Sequence, residues 1–510
     1  MSPIARHDHA TPPPRVSPPR SFARGIRLAA ATYALLCAAT LAPPATAAPR
    51  PLPDSIITER LGTLPPQFSD RFITGLEDVR EATDVHAQAR RLFLSPDGLH
   101  MAFTLDLVTS RQMIIDGVSA KSYGYVSRGA FSEQGGHFAY LAGPSERAGP
   151  TLVLDGREIV LGVYASGPLT LSADGGHWAF VGRDRAETTA PHFVVSDRGT
   201  GAPYDSIGPI ALSWDGSRIG YVGHSWDRTI VVIDGVESPW CDEATTPLFD
   251  LASHHVAYAR RNGASWKVIL DGKESESFVQ VDLASLRFSA NGTKLGYVAS
   301  IGAMKAFFVN GEPGALWPAI VADSSCFSRD GTHTLYWAGQ SLSAMRVVWD
   351  GKPREMREAE CPGPFAISAV GDHIAYSDCT TGRSGFHVVH DSMAGPQFDR
   401  VNQLRLSRDG ERVAYTAQIG DYQAAVVDGR AGPSFAIVGE SSFSADGRHE
   451  AHVGQIAPGR QVVVFDGRNG PEFEWIASGG PTFLTDGTLQ YLAVRKSELL
   501  RITRVPRAGE

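Results

Sequence analysis

Two groups of residues in this 510-residue chain have the types and spacing for chemistry. The first is the set Asp97, Asp174, Asp215, Asp330, Asp409 and Asp446, joined by His100, His137, His177, His333 and His373. Carboxylates and imidazoles at fixed spacing are the raw material of calcium binding and of paired acid–base catalysis. Each Asp, however, occurs once per repeating unit beside a turn glycine, and each His opens the strand that follows. Regularity of that kind reads as turn structure, in which Asp hydrogen-bonds the backbone locally and Gly takes positive φ.

The second group lies where the units differ. Three consecutive loops carry Arg183, Asp184 and Arg185; then His224, Trp226, Asp227 and Arg228; then Arg260, Arg261 and Asn262. An exposed Trp beside Arg is the usual composition of a recognition hot spot, and an indole also stacks on sugar rings. In an otherwise acidic chain this basic cluster suits a carboxylate-bearing ligand. The binding candidates are therefore Arg183, Arg185, His224, Trp226, Arg228, Arg260 and Arg261, with ordinary solvated loops as the competing reading.

Catalytic signatures are missing from the sequence. There is no G-x-S-x-G elbow, P-loop, H-E-x-x-H or dinucleotide fingerprint. No catalytic residue is assigned, and neither a metal nor a cofactor is expected. Outside the N-terminal segment the cysteines are Cys241, Cys326, Cys361 and Cys379, none at a metal-ligand spacing.

The elements that position these residues come from a repeat. The phrase FLSPDGLHMAFT at Phe93 returns as AFSEQGGHFAYLA, TLSADGGHWAFVG, ALSWDGSRIGYVG, RFSANGTKLGYVA, CFSRDGTHTLYWA and further copies, with a period of about 39 residues. A second phrase follows each of them, as in MIIDG, LVLDG, VVIDG and VVFDG. Each unit reads as four short strands: one ending at Ser-x-Asp-Gly, its return, a Val-rich third, and an edge strand after the second Asp-Gly. The predicted fold is all-β, a β-propeller of ten to eleven four-stranded blades. Rings usually hold four to eight blades, so two fused rings are favoured over one oversized ring. The last copy has three strands, and residues 79–88 are expected to supply its fourth. Within the copy around Gly371, Cys361 and Cys379 flank one hairpin symmetrically, which predicts a Cys361–Cys379 disulfide and leaves Cys241 and Cys326 free and buried.

The wording of these copies resembles the WD-repeat-like propeller of the TolB family, in which an F-S-P-D-G-type turn opens a strand reading xxIAF. The likeness spans residues 91–505. The helical domain that precedes the TolB propeller has no counterpart in residues 49–90, which argues against a role with the outer-membrane Tol–Pal assembly.

Residues 1–47 read as a secretory signal peptide: Arg20, Arg24 and Arg27 precede an uncharged apolar stretch from Leu28 to Ala42, and small residues follow at 45–48. Leu36 before Cys37 is the wrong residue for a lipoprotein signal. The expected organisation is signal peptide 1–47, Pro-rich linker 48–78, propeller repeats 79–506 and tail 507–510. Loss of the signal removes five Arg and one Asp and moves the net charge from −8 to about −12. Such a surface disfavours nucleic acid and anionic lipid, and no membrane insertion is expected after cleavage. The sequence thus favours a periplasmic or secreted, non-enzymatic binding or scaffold protein that recognises a protein, peptide or glycan through its variable loops. The alternative is a glycan hydrolase or lyase whose active site is dispersed along the propeller channel.

Overall fold

Each Ser-x-Asp-Gly copy folds into the same closed turn. In one of them Ser172 Oγ donates to Asp174 Oδ1 at 2.6 Å and accepts from the His177 amide at 3.0 Å, while the Gly176 amide donates to Asp174 Oδ1 at 3.0 Å. Gly175 takes φ +73°, which a β-carbon would strain. Repetition of this turn along the chain makes the sheets of the computed structural model. It describes residues 55–63, 92–107, 109–145, 150–184, 190–354, 362–379 and 385–505. All of them belong to the second of two compact units, Leu52–Glu510.

The described residues form eleven antiparallel sheets in chain order and no helix. Ten blades are contiguous: residues 92–123, 125–160, 164–200, 206–237, 243–274, 281–313, 319–353, 365–398, 400–435 and 437–473. The eleventh combines residues 475–505 with the strand Ser55–Thr63, which pairs antiparallel to Glu498–Val505. The first strands of neighbouring blades touch one another, whereas the fourth strands are largely exposed, so the first strands face the axis.

The ring is single, not double. Eleven hydrophobic clusters each join one blade to the next, and they run without a break through the middle of the chain. The cluster that closes the circle packs Met101, Phe103 and Ile114 of blade 1 against Leu492, Val494 and Leu499 of blade 11. Two rings would instead pair blade 1 with a blade near the middle. Thr482 Oγ1 donates to the Asp97 carbonyl at 2.7 Å, and the Arg501 guanidinium lies 3.6 Å from Asp116, across the same closing seam. The fourth strand of the last blade is likewise not drawn from 79–88, which lie outside the described residues. It is Ser55–Thr63, inside the stretch expected to be linker.

Two departures from regularity matter below. Several first strands carry a register shift, for example between Ala165 and Leu169 and between Asn402 and Arg405, so the strand nearest the axis is bulged. Blade 10 also replaces core residues by polar ones. Where other blades bury pairs such as Leu295 and Tyr297, or Leu489 and Tyr491, it buries Glu450 and His452, with His452 Nδ1 2.9 Å from Glu450 Oε1. His452 Nε2 and the Oγ of nearby buried Ser441 have no hydrogen-bond partner.

Candidate functional site

The recurrent Asp and His residues are placed by the hairpins on one face of the ring, where they clip each blade together. In blade 2, Asp155 stands at the second turn with φ +49°. Its Oδ1 accepts the Phe138 amide at 3.0 Å, and its Oδ2 accepts from His137 Nδ1 at 2.7 Å. Seven blades use such a His–Asp pair, at 2.6–2.8 Å. Arg218–Asp234 and Arg412–Asp428 replace it in two others, both at 2.9 Å. The bond to Asp116 raises the pKa of His100, and the bond to Asp391 raises that of His373. Hydroxyl and amide donors hold the first-turn Asp174, Asp330, Asp409 and Asp446 below the ordinary carboxylate value. Held by these local bonds, on Oδ1 in the first-turn Asp174, Asp409 and Asp446 and on both oxygens in second-turn residues such as Asp155, these groups carry structure.

The hairpins between second and third strands lie on the opposite face. Blade 4 ends there in Ser225–Arg228, and Trp226 at its tip is 96% exposed. Trp226 has φ +57°, a left-handed conformation that strains any side-chain-bearing residue. The tips of blades 5, 6 and 9 use Gly263, Gly302 and Gly420 in the same conformation. An acidic anchor fixes the tip: the Trp226 amide donates to Asp205 Oδ2 at 2.8 Å, as Gly263 does to Asp242 and Gly420 to Asp399. His224 Nδ1 lies 3.1 Å from Thr229 Oγ1, and Arg228 is exposed.

The neighbouring basic residues are less available than the sequence suggests. Arg260 is nearly buried, with 11% of its side chain exposed, and is bonded to Glu274, which also takes Lys267 at 2.6 Å. Arg261 bonds Glu243 at 3.1 Å and packs over the Trp266 ring at 5.8 Å. The free, buried Cys241 lies between these tips: burial raises its thiol pKa, and both Arg260 and Arg228 pull it back. Blades 4 and 5 thus bring Arg228 and Arg260 together. Arg183 is half-buried on blade 3, and Arg185 lies outside the described residues.

Charged groups on the first strands pair locally. Arg405 Nε donates to Glu440 at 2.6 Å, and Arg287 donates to the carbonyls of Ala284 and Ser285. Cys326 is a free thiol on one of these strands, with its pKa pushed up to about 12 by burial. Cys379 ends a second strand, while Cys361 lies outside the described residues.

No protein-family model and no curated protein matches the chain. Solved structures do. A eukaryotic initiation factor shares 12% identity over 63% of this chain and 90% of its own, at a TM-score of 0.36. The Dos1 propeller shares 9% over 66% and 92%, at 0.30. TolB from Acinetobacter baumannii shares 11% over 57% and 79%, at 0.25. These likenesses speak to fold alone, and the propeller assignment rests on the eleven sheets and their closing seam. The WD-like and TolB-like wording of the repeat therefore describes an eleven-bladed ring, an architecture consistent with a binding or scaffold role.

Proposed function

We propose that the chain is an exported, non-enzymatic binding or scaffold protein that recognises a protein, peptide or glycan on the face opposite its Asp-Gly turns. The observation that carries this reading is Trp226: a fully presented indole at a left-handed tip position where blades 5, 6 and 9 use glycine and blade 11 uses Lys496, held there by Asp205. The left-handed backbone is unfavourable for a bulky side chain, and a strained tip that presents an indole fully to solvent supports reading that ring as a contact residue. Arg228 and His224 beside it supply the polar rim. Export to the periplasm or beyond follows from the signal-like residues 1–47, which lie outside the described residues. A Cys361–Cys379 bridge suits the same oxidising compartment.

The experiment is a binding screen of residues 48–510 against glycan and cell-envelope peptide arrays, in parallel with a Trp226→Ala/Arg228→Ala double variant. A hit abolished by the double change is the expected result. A hit indifferent to it removes this site, and turnover of a glycan without stable binding replaces the reading with the channel-enzyme alternative.

A further inference from the structure

One clip differs from the rest. In blade 8, His373 Nδ1 lies 2.8 Å from Asp391 Oδ2, as in its counterparts. The residue before that aspartate is His390, where other blades have Ile115, Ile233, Val309, Trp349 or Val427. The residue before His373 is Asp372, and blade 9 contributes Glu411 across the seam. One ligand atom each from His373, His390 and Asp391 lies within 4.8 Å of the other two. His373 Nε2 is 3.9 Å from Asp372 Oδ2 and 3.8 Å from Glu411 Oε1, and His390 Nε2 is 3.9 Å from Asp391 Oδ2.

These separations suit a metal ion. Ligands about 2.0–2.2 Å from a tetrahedral zinc-class ion stand roughly 3.4 Å from one another, and the spacings from Asp391 Oδ2 to His373 Nδ1, 2.8 Å, and to His390 Nε2, 3.9 Å, bracket that value. A ligating imidazole usually gives its other ring N–H to a carboxylate, which fixes the tautomer and raises its basicity. With Nδ1 turned to the ion beside Asp391, His373 Nε2 faces Asp372 and Glu411, which can take its N–H. Three carboxylates, Asp372, Asp391 and Glu411, surround His373 and make the site electronegative.

We propose that blade 8, at its seam with blade 9, binds a divalent transition-metal cation of the zinc class, with His373 Nδ1 and His390 Nε2 as nitrogen ligands, Asp391 as the oxygen ligand, and Asp372 and Glu411 as outer carboxylates on His373 Nε2. His390 exchanges its 2.8 Å bond to the Gly410 carbonyl for the metal. Gly410 and Glu411 belong to blade 9, so the ion sits at the seam and Glu411 reaches it through His373.

The test is isothermal titration of the full, tag-free, chelator-treated chain with zinc chloride, with cobalt(II) absorption as a second readout. One ion per chain is expected, with a raised Tm. His390→Ala removes a ligand yet keeps the His373–Asp391 clip, and is expected to weaken binding at least tenfold while circular dichroism shows the fold retained. His177→Ala alters an ordinary clip in blade 3 and is expected to leave the stoichiometry unchanged. Absence of saturable binding, binding that survives His390→Ala, or equal loss in both variants overturns the proposal.

Discussion

A β-carbon on Gly216 would stand 2.5 Å from the Cβ of His177 in the preceding blade. The same close seating recurs between Gly175 and His137, Gly371 and His333, and Gly410 and His373. The clip histidine of one blade is thus the floor on which the next blade's turn rests. Gly216→Ala is expected to lower stability through two effects, the positive φ of +63° and the collision. Gly235→Ala isolates the first, since Gly235 has φ +80° and open space around it. Strain alone amounts to about 1–2 kcal/mol, so urea midpoints should show Gly235→Ala mildly destabilised and Gly216→Ala clearly more so. Equal losses would mean that the seam contact carries no weight.

Stability should peak at weakly acidic pH. His100 and His373 have pKa values raised above 6.5, so their contribution is complete below the unfolded value and lost as pH rises through the folded one. Asp174, Asp409 and Asp446 are lowered from 3.8, and Asp330 to about 2, so theirs is present above the unfolded value and lost as pH falls through the folded one. Denaturation midpoints measured in chelator should be highest between about pH 4.5 and 6 and decline on both sides. A midpoint unchanged from pH 5 to 8 would show that the histidine pairs contribute nothing net.

The buried pair in blade 10 should behave asymmetrically. His452→Ala leaves the Glu450 carboxyl alone in a seam lined by Val462 and Val464, and is expected to destabilise by about 3–5 kcal/mol. The double change Glu450→Leu/His452→Tyr copies blades 6 and 11 and should stabilise by about 1–4 kcal/mol. Calorimetry on the two variants decides the matter. A double variant less stable than the single one would show that the polar pair is required for packing.

Trp226→Gly should separate stability from recognition. Glycine takes φ +57° without strain, so the variant is expected to gain about 1 kcal/mol while losing ligand capture. Retained capture together with higher stability would place recognition elsewhere on the face.

The repeat and its blade were legible because Ser-x-Asp-Gly and the following His make their bonds within one unit. The number of rings was not, since every seam buries the same kinds of residue: Val222 meets Tyr258 much as Val298 meets Tyr336, and nothing local distinguishes a mid-chain junction from a closing one. The closing strand was hidden for a related reason. SIITERLGT carries no Asp-Gly signal, and its partner lies at the far end of the chain. Arg260 looked like a surface cation because its carboxylate partner, Glu274, stands two strand-turns away in sequence. His373, His390 and Glu411 are each unremarkable alone, and only the seam assembles them.

The pairing of Ser55–Thr63 with Glu498–Val505 also sets an order of events in time. Arg501 reaches Glu59 across 442 residues of sequence, so one of the first strands to be synthesised is among the last to find its place. Blades in the middle can form as their own residues arrive, each burying one flank on its predecessor. The circle closes only after the C-terminal strand exists. Until then the growing arc presents an open flank at each end, and a chain threaded through a membrane pore would finish folding only on the side where both ends emerge.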